Sequence, residues 1–219
     1  MPDGSNCFVE RRLRVLNECG LPRLTIFPSL DSLPSLEYLT LQYCISLTTL
    51  GSLNALASLK KLDLCGCASL TTLPLLDALV SLEELILSGC IALTALPSLH
   101  ALAALKTLST GGHGDWAGCY SLTAVPSLDA LVSLECLDLS FCFLLTTLPS
   151  LDALTSLKTL NLTHCTSLTA LPSLDALTAL VELHLGGQVW SSAGASFSGC
   201  PVTTLPSLTA LVSLQQLDL

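Results

Sequence analysis

Residues 134–156 read LECLDLSFCFLLTTLPSLDALTS, and this stretch contains the pattern that decides the fold of the 219-residue chain. The pattern L-x-x-L-x-L-x-x-C-x-x-L-T-x-L-P-S-L-x-A-L-x-S recurs along the sequence with a basic period of 23 residues. Self-similarity at such a period is the signature of a repeat protein, in which each unit buries its apolar face only against its neighbours. The sequence therefore predicts a solenoid of stacked copies of one unit.

The first leucine of the pattern marks where each repeat begins. It falls at Leu13, Leu36, Leu59, Leu82, Leu105, Leu134, Leu157, Leu180 and Leu214. Two steps between these leucines are longer than 23 residues, by 6 and 11, which predicts insertions near 110–118 and 186–199. We therefore predict an N-terminal extension or cap over 1–12 and a repeat domain over 13–219, with eight repeats and one partial repeat.

The spacing of the leucines predicts the local structure of a repeat. Leu39 and Leu41 are two residues apart, so in a strand they lie on one face, while the residues between and around them face solvent. After the strand, leucines recur at every third residue, which suits turns, 3₁₀ or polyproline-like segments better than a long α-helix. Prolines after the strands, such as Pro149 and Pro172, remove hydrogen-bond donors and further disfavour a helix.

These motifs resemble the leucine-rich-repeat superfamily over residues 13–219. The cysteine in LDLCGCASLTTLP (62–74) is similar to the subclass found in plant intracellular immune receptors and in many protist repeat proteins. The resemblance implies an α/β-type solenoid with very little α-helix. It implies a right-handed arc with a parallel sheet on the concave side and 3₁₀ or polyproline-like turns on the convex side. It also implies binding of a partner protein through the concave face.

Charge and composition bear on the class of partner. The formal net charge is −9, and only 11 % of the residues are charged. Because a negative surface repels phosphate groups, we do not expect nucleic-acid binding. The sequence has no stretch of eighteen apolar residues, so no membrane span is predicted. The apolar core of a signal peptide is also missing from the first twenty residues, MPDGSNCFVERRLRVLNECG.

Six of the eleven cysteines occupy one position of the repeat, and we call this set the cysteine ladder. Its members are Cys44, Cys67, Cys90, Cys119, Cys142 and Cys165. We predict a row of buried free thiols that pack as small apolar side chains, and thiols of this kind indicate a reducing compartment such as the cytoplasm. Counted from the first leucine of its repeat, Cys200 is expected one residue out of register with the ladder. Cys65 and Cys67 should point to opposite faces, so no metal site is expected.

Charges of alternating sign follow the first leucine of seven consecutive repeats. They are Arg14, Glu37, Lys60, Glu83, Lys106, Glu135 and Lys158. In a parallel stack these side chains are neighbours, which favours surface ion pairs that oppose slippage of the register. A role in partner binding is the alternative interpretation.

The side chains that vary between repeats are the candidates for partner contact. On the strands they are Tyr38, Thr40, Asp63, Ile86, Asp138, Asn161 and His184. Just past the strands they are Tyr43, Phe141 and His164, and in the insertions they are Trp116 and Trp190. For the first group, neutral variation of a surface is the alternative explanation. For each tryptophan, the alternative is that its side chain folds back over the leucine core.

No motif in the chain predicts catalysis, since it has neither a G-x-S-x-G elbow nor a phosphate-binding G-x-x-x-x-G-K-[ST] loop. We therefore expect no enzyme activity and no cofactor, and interpret the chain as a protein-interaction module that is part of a larger protein. A structural spacer or surface-coat protein without a specific ligand is the alternative. Because the sequence ends directly after a strand, end-to-end association through that uncapped strand is a further expectation.

Overall fold

Eleven short strands make up the regular secondary structure of the chain. The computed structural model describes residues 13–112, 118–186 and 199–219, so the predicted cap over 1–12 lies outside the described residues. The strands are β1 (Val15–Asn17), β2 (Ile26–Phe27), β3 (Tyr38–Thr40), β4 (Thr49–Leu50), β5 (Lys61–Asp63), β6 (Glu84–Ile86), β7 (Thr107–Ser109), β8 (Cys136–Asp138), β9 (Thr159–Asn161), β10 (Glu182–His184) and β11 (Gln216–Asp218).

Nine of these strands form one parallel sheet in the order β1-β3-β5-β6-β7-β8-β9-β10-β11. Each strand pairs with the strand of the next repeat in an unshifted register, so that Leu39 lies opposite Leu62 and Leu137 lies opposite Leu160. The two remaining strands, β2 and β4, pair with each other in a separate parallel ladder. This is the parallel sheet of a solenoid of stacked repeats, as the sequence predicts.

The inward positions of the repeat explain why the chain alternates between strand and turn. In the second repeat these positions hold Leu36, Leu39, Leu41, Cys44, Leu47, Leu50, Leu53 and Leu56, all of which are buried. Consecutive inward positions are three residues apart except for one step of two, between Leu39 and Leu41. The step of two is the spacing of a strand, and steps of three keep one face of a turning chain directed inward.

The turns outside the strands are single hydrogen-bonded turns. The amide of Leu56 donates to the carbonyl of Leu53 at 3.0 Å, and the amide of Leu59 donates to that of Leu56 at 3.0 Å. These i→i+3 bonds are of the 3₁₀ type, but they do not run on from residue to residue, and the described residues contain no helix. The same three ranges hold no segment suited to span a membrane as a helix.

Both insertions leave the repeat at the same point, directly after the strand. In repeats with and without an insertion, the amide of the ladder cysteine donates to the carbonyl of the residue that follows the strand. This bond joins Cys90 to Leu87 at 3.0 Å, Cys119 to Thr110 at 2.9 Å and Cys200 to Leu185 at 2.9 Å. The base of each insertion is therefore closed, and the stacking of the repeats continues past it. Trp116 and Trp190 lie outside the described residues.

The thiols of the cysteine ladder are buried and hydrogen-bonded to the preceding repeat. The acceptor is the carbonyl that follows the preceding strand, as in Cys67 to Leu41 at 3.1 Å and Cys90 to Leu64 at 3.3 Å. Cys142 instead contacts the hydroxyl of Thr110, at 3.3 Å, because Thr110 stands where other repeats have leucine.

The expectation that Cys200 is out of register with the ladder is wrong. Its thiol donates to the carbonyl of Leu162 at 2.9 Å, which is the bond that a ladder cysteine makes. The reason is that Leu205 comes five positions after Cys200, whereas Leu171 comes six positions after Cys165. The insertion is therefore one residue longer than the net count indicates, and one residue is missing after it.

We predict that alkylation separates the ladder cysteines from the others. Burial raises the pKa of the Cys67 thiol to about 12, and burial also raises the pKa of the Cys90 and Cys119 thiols. With iodoacetamide at about pH 8, the exposed Cys19 should react quickly, whereas the ladder cysteines should react only after unfolding. Peptide mass spectrometry of timed samples measures this, with urea-unfolded protein as the control. Equal rates for Cys90 and Cys19 in the folded chain would contradict the buried ladder.

The last strand, β11, has all three of its residues exposed, because no further repeat covers it among the described residues. Leu217 is 37 % exposed, although the leucines at the same position of β3 and of β5 to β10 are buried. End-to-end association through this strand stays a prediction, which light scattering at several protein concentrations tests.

Candidate partner-binding face

The outward-facing side chains of the nine-stranded sheet form the surface that we call the concave face. Each strand contributes its first and third residues to this face, while its middle leucine points into the core. The first residues of the nine strands form the first column of this face, and their third residues form the second column. In the first column Tyr38 is 40 % exposed, whereas the side chains from Lys61 to Glu182 are half-buried by their neighbours. The face is therefore a closely packed polar layer on a rigid sheet.

The alternating charges beside the first leucines form ion pairs between neighbouring repeats at the rim of the concave face. Glu37 contacts both Arg14, at 3.3 Å, and Lys60, at 2.8 Å. Glu83 contacts Lys106 at 2.7 Å, and Glu135 contacts Lys158 at 2.5 Å. The predicted ion pairs between neighbouring repeats are confirmed. We assign them to stabilising the register of the stack, because each charge is matched within the chain.

These ion pairs predict how stability depends on pH. The hydrogen bond from Lys106 lowers the pKa of Glu83 below its ordinary value of 4.5, and the bond from Lys158 does the same for Glu135. A carboxylate with a lowered pKa stabilises the fold above its ordinary pKa, and this contribution is lost as the pH falls through the lowered value. The free energy of unfolding, measured in urea between about pH 6 and 3, should therefore decrease less with falling pH in the double variant Lys106→Met/Lys158→Met than in wild type. Equal decreases in the two proteins would contradict the pairing.

Several polar residues in the second column of the concave face have a structural role at the strand ends. The Oδ1 atom of Asp63 accepts from the amide of Cys65 at 3.1 Å, and Asn161 accepts from Thr163 at 3.0 Å in the same way. Asp138 accepts from the amide two residues later at 3.0 Å. Because Asp63 and Asp138 are almost fully buried, partner contact through their side chains is restricted in the free chain.

The candidates just past the strands occupy a position with a left-handed backbone. Tyr43 and Phe141 have φ angles of 59°, and His164 has 63°. Glycine holds the same repeat position elsewhere and adopts similar angles, with 73° at Gly66 and 75° at Gly89. Non-glycine residues adopt this conformation at a cost, so the packing of these three side chains must offset it. Sequence reasoning missed this requirement, although the glycines in the column were visible.

The three side chains cover the neighbouring repeats. The ring of Tyr43 lies over Gly66, where an added Cβ atom would come within 2.5 Å of Cδ1 of the ring. The ring centroids of Phe141 and His164 are 4.5 Å apart. His164 is fully buried, so the expectation that it contacts a partner does not hold for the free chain. The buried imidazole of His164 instead packs against the ring of Phe141.

A shallow cavity of about 320 Å³, which we call the trough, lies on the concave face between β6 and β10. Ile86 bounds it on the side of β6, and Glu182 and His184 bound it on the side of β10. Between them the first column carries the short side chains of Thr107, Cys136 and Thr159, and this is why the face is hollow there. Thus the candidates Ile86, Asp138, Asn161 and His184 are brought together at the trough. Tyr38, Thr40 and Asp63 lie outside it.

His184 connects the trough to the last strand. Its Nδ1 atom lies 2.6 Å from Oδ2 of Asp218, and its Nε2 atom lies 3.5 Å from Oε2 of Glu182. The hydrogen bond with His184 lowers the pKa of Asp218 below its ordinary value. Among the described residues, no three histidine, cysteine or acidic side chains are grouped as ligands of a metal ion.

Comparison with known proteins supports the repeat assignment. Residues 132–176 match the family model described as "Leucine Rich repeats (2 copies)". The chain is similar to the leucine-rich repeat domain of the type III effector XopL, with 25 % identity and a TM-score of 0.55 over 93 % of this chain and 75 % of that domain.

A second similar structure is the functional domain of InlJ from Listeria monocytogenes, which is described as including a cysteine ladder. It is 15 % identical, with a TM-score of 0.33, over 92 % of this chain and 60 % of that one. No curated protein matches the sequence.

Proposed function

We propose that this chain, whose repeats are similar to those of leucine-rich-repeat proteins, is a protein-interaction module that binds its partner through the concave face. The trough between β6 and β10 is the observation that carries the proposal, because it is a concave site of about 320 Å³ on a sheet whose backbone is fixed by parallel pairing. A rigid site loses little conformational entropy when a partner binds, which favours affinity.

The distribution of variable side chains supports the same face. The inward positions repeat leucine and cysteine, and the convex segments repeat short motifs such as the S-L-D-A-L of 150–154 and 173–177. The trough, in contrast, combines Ile86, Cys136 and His184, which differ in size and chemistry. Such a mixture distinguishes one partner from another, which a uniform surface does not.

The insertions extend this proposal to the adjacent edge of the sheet. Their closed bases, at Thr110–Cys119 and Leu185–Cys200, lie at the same position of two repeats. We propose that Trp116 and Trp190 add apolar contacts to the partner at this edge, since aromatic side chains often provide the largest part of an interface energy.

The experiment compares substitutions on the two faces of the solenoid. Tyr38→Ala, Ile86→Thr and His184→Ala change exposed or half-buried side chains of the concave face, and Val132→Thr is the matched control on the convex side, where Val132 is exposed. Partner proteins retained from extracts of the native cells are quantified by mass spectrometry. We expect about a tenfold loss for at least one concave variant and none for the control.

Two other outcomes would overturn the proposal in different ways. If every partner is retained equally by the concave variants and the control, the partner does not bind the concave face. If the wild-type chain retains nothing beyond an unrelated protein of equal charge, the structural-spacer interpretation is favoured. Retained nucleic acid, measured in the same samples, tests the expectation that the negative chain repels phosphates.

A further inference from the structure

We propose that the trough accepts a large apolar side chain of the partner, such as leucine, methionine or phenylalanine, so that the partner docks on this chain through an apolar anchor. This inference rests on the proposed function and names the chemistry of the partner. It starts from the size of the trough, whose volume of about 320 Å³ is at the small end of the range for ligand pockets. A cavity of this size suits an anchor side chain better than an extended segment.

The floor of the trough is made of uncharged side chains on three consecutive strands. Thr107, Cys136 and Thr159 occupy the first column on β7, β8 and β9. Burial is the largest of the causes that raise the pKa of the Cys136 thiol, so this thiol is neutral at physiological pH and behaves as a small apolar group. Each threonine adds a methyl group, and the half-buried Ile86 adds an aliphatic wall. The surface of the trough is therefore mostly apolar.

The polar side chains below this floor are already hydrogen-bonded within the chain. The hydroxyl of Ser109 lies 3.1 Å from that of Ser88. The Oδ1 atoms of Asp138 and Asn161 each accept from the amide two residues later, at 3.0 Å in both cases. These groups therefore stabilise the strand ends, and a partner does not have to satisfy them.

The charged side chains at the edge formed by β10 also have partners within the chain. The hydroxyl of Thr159 donates to Oε2 of Glu182 at 3.4 Å, and Nε2 of His184 lies 3.5 Å from the same oxygen. The Nδ1 atom of His184 lies 2.6 Å from Asp218. A charged anchor would have to leave water and share carboxylates that are already engaged, which is costly. An apolar anchor only displaces water from apolar walls, which is favourable.

The first half of the concave face differs from the trough in charge. Its first column carries Lys61 and Glu84, which form an ion pair at 2.8 Å. Lys61 also lies 3.8 Å from Asp63, which accepts from the side-chain amide of Gln42 at 2.8 Å. An apolar side chain placed there would remove charged groups from water without replacing their hydrogen bonds. The apolar anchor therefore belongs to the trough and not to the concave face in general.

The thiol of Cys136 allows the preference of the trough to be measured without a partner. Three methanethiosulfonate reagents, which carry a benzyl, a trimethylammonium or a sulfonate group, are reacted with the native chain. Peptide mass spectrometry gives the rates at Cys136 and at Cys65, which is also half-buried but lies outside the trough. Dividing the benzyl rate by each charged rate cancels the thiolate fraction. We expect both ratios to be about tenfold higher at Cys136 than at Cys65. If either ratio is equal or lower at Cys136, the proposal is overturned.

Matched variants assign this preference to the walls of the trough. Ile86→Thr shortens the aliphatic wall and adds a hydroxyl, whereas Thr107→Val replaces a floor hydroxyl by a methyl group of similar size. We expect the benzyl ratios at Cys136 to fall about threefold or more in Ile86→Thr and to rise about twofold in Thr107→Val. Val132→Thr, on the convex side, should leave them unchanged. Ratios that are the same in Ile86→Thr and Val132→Thr would overturn the proposal.

A peptide selection tests whether a protein segment uses such an anchor. Random 12-residue peptides displayed on phage are selected on the wild-type chain, and the residue whose change to alanine weakens binding most is replaced by norleucine or by lysine. These two side chains share a four-carbon stem and differ by the terminal ammonium group. We expect the norleucine peptide to bind at least tenfold more tightly than the lysine peptide, and to lose at least tenfold in affinity on Ile86→Thr. Tighter binding of the lysine peptide would overturn the apolar-anchor proposal and leave the concave-face function intact. Peptides insensitive to every concave variant would contradict the proposed function itself.

Discussion

Replacing Gly51 with proline is expected to lower the free energy of unfolding by about 3 kcal/mol or more, although proline is the commonest residue at this position of the repeat. Seven other repeats have proline there, at Pro28, Pro74, Pro97, Pro126, Pro149, Pro172 and Pro206. Substitution towards the commonest residue usually stabilises a protein. Here the amide of Gly51 donates to the carbonyl of Phe27 at 2.8 Å, and proline has no amide hydrogen to donate.

Close approach of two backbones adds to this effect. A Cβ atom on Gly51 would lie 2.5 Å from the carbonyl carbon of Pro28 and 2.5 Å from the amide nitrogen of Ser29. The pairing of β2 with β4 brings these segments together, so even Gly51→Ala should destabilise the chain.

Urea unfolding followed by circular dichroism measures both substitutions at Gly51. The matched control is Pro97→Ala, at the same repeat position, which should change stability by less than about 1 kcal/mol. If Gly51→Pro is as stable as wild type, the β2–β4 pairing is absent in solution.

Substitution of Leu137 by alanine is the second change with a large expected effect, a loss of about 3–5 kcal/mol. Leu137 is the middle residue of β8 and is fully buried between the repeats on either side. Removing its side chain leaves a cavity that a stacked solenoid cannot readily close. Leu217 occupies the same position in β11 but is 37 % exposed, so Leu217→Ala should cost about 1 kcal/mol.

A third leucine provides the control for this series. Leu75 is 62 % exposed on the convex side, and Leu75→Ala should change stability by no more than about 0.5 kcal/mol. The three unfolding free energies therefore test whether neighbouring repeats, rather than residue type, determine burial. Equal losses at Leu137 and Leu217 would show that the stacking of repeats does not provide the burial.

The repeat, the parallel sheet and the cysteine ladder were predictable from the sequence, because each depends on a residue type that recurs at a fixed position. Leucine at every third residue, with one step of two, directs the same side chains inward in every repeat. The register of Cys200 was not predictable from counting alone. A net gain of eleven residues fits a single insertion of eleven residues, and it fits equally well an insertion that is one residue longer and is followed by the loss of one residue.

The candidate site was predictable only in part. The variable columns were visible in the sequence, but the burial of His164 and the strand-end role of Asp63 depend on atoms that come together after folding. The left-handed position of Tyr43 and Phe141 could have been recognised from the glycines in the same column. The trough itself depends on how the short side chains of adjacent strands align, which the sheet register determines.

Site-specific photocrosslinking tests most directly whether a partner binds at the trough. A benzophenone amino acid replaces Thr107, in the trough, in one variant and Val132, on the convex side, in another, and both are irradiated in extracts of the native cells. We expect position 107 to crosslink one protein in high yield, and position 132 to give none of this adduct. The same adducts in equal yield from both positions would contradict binding at the concave face.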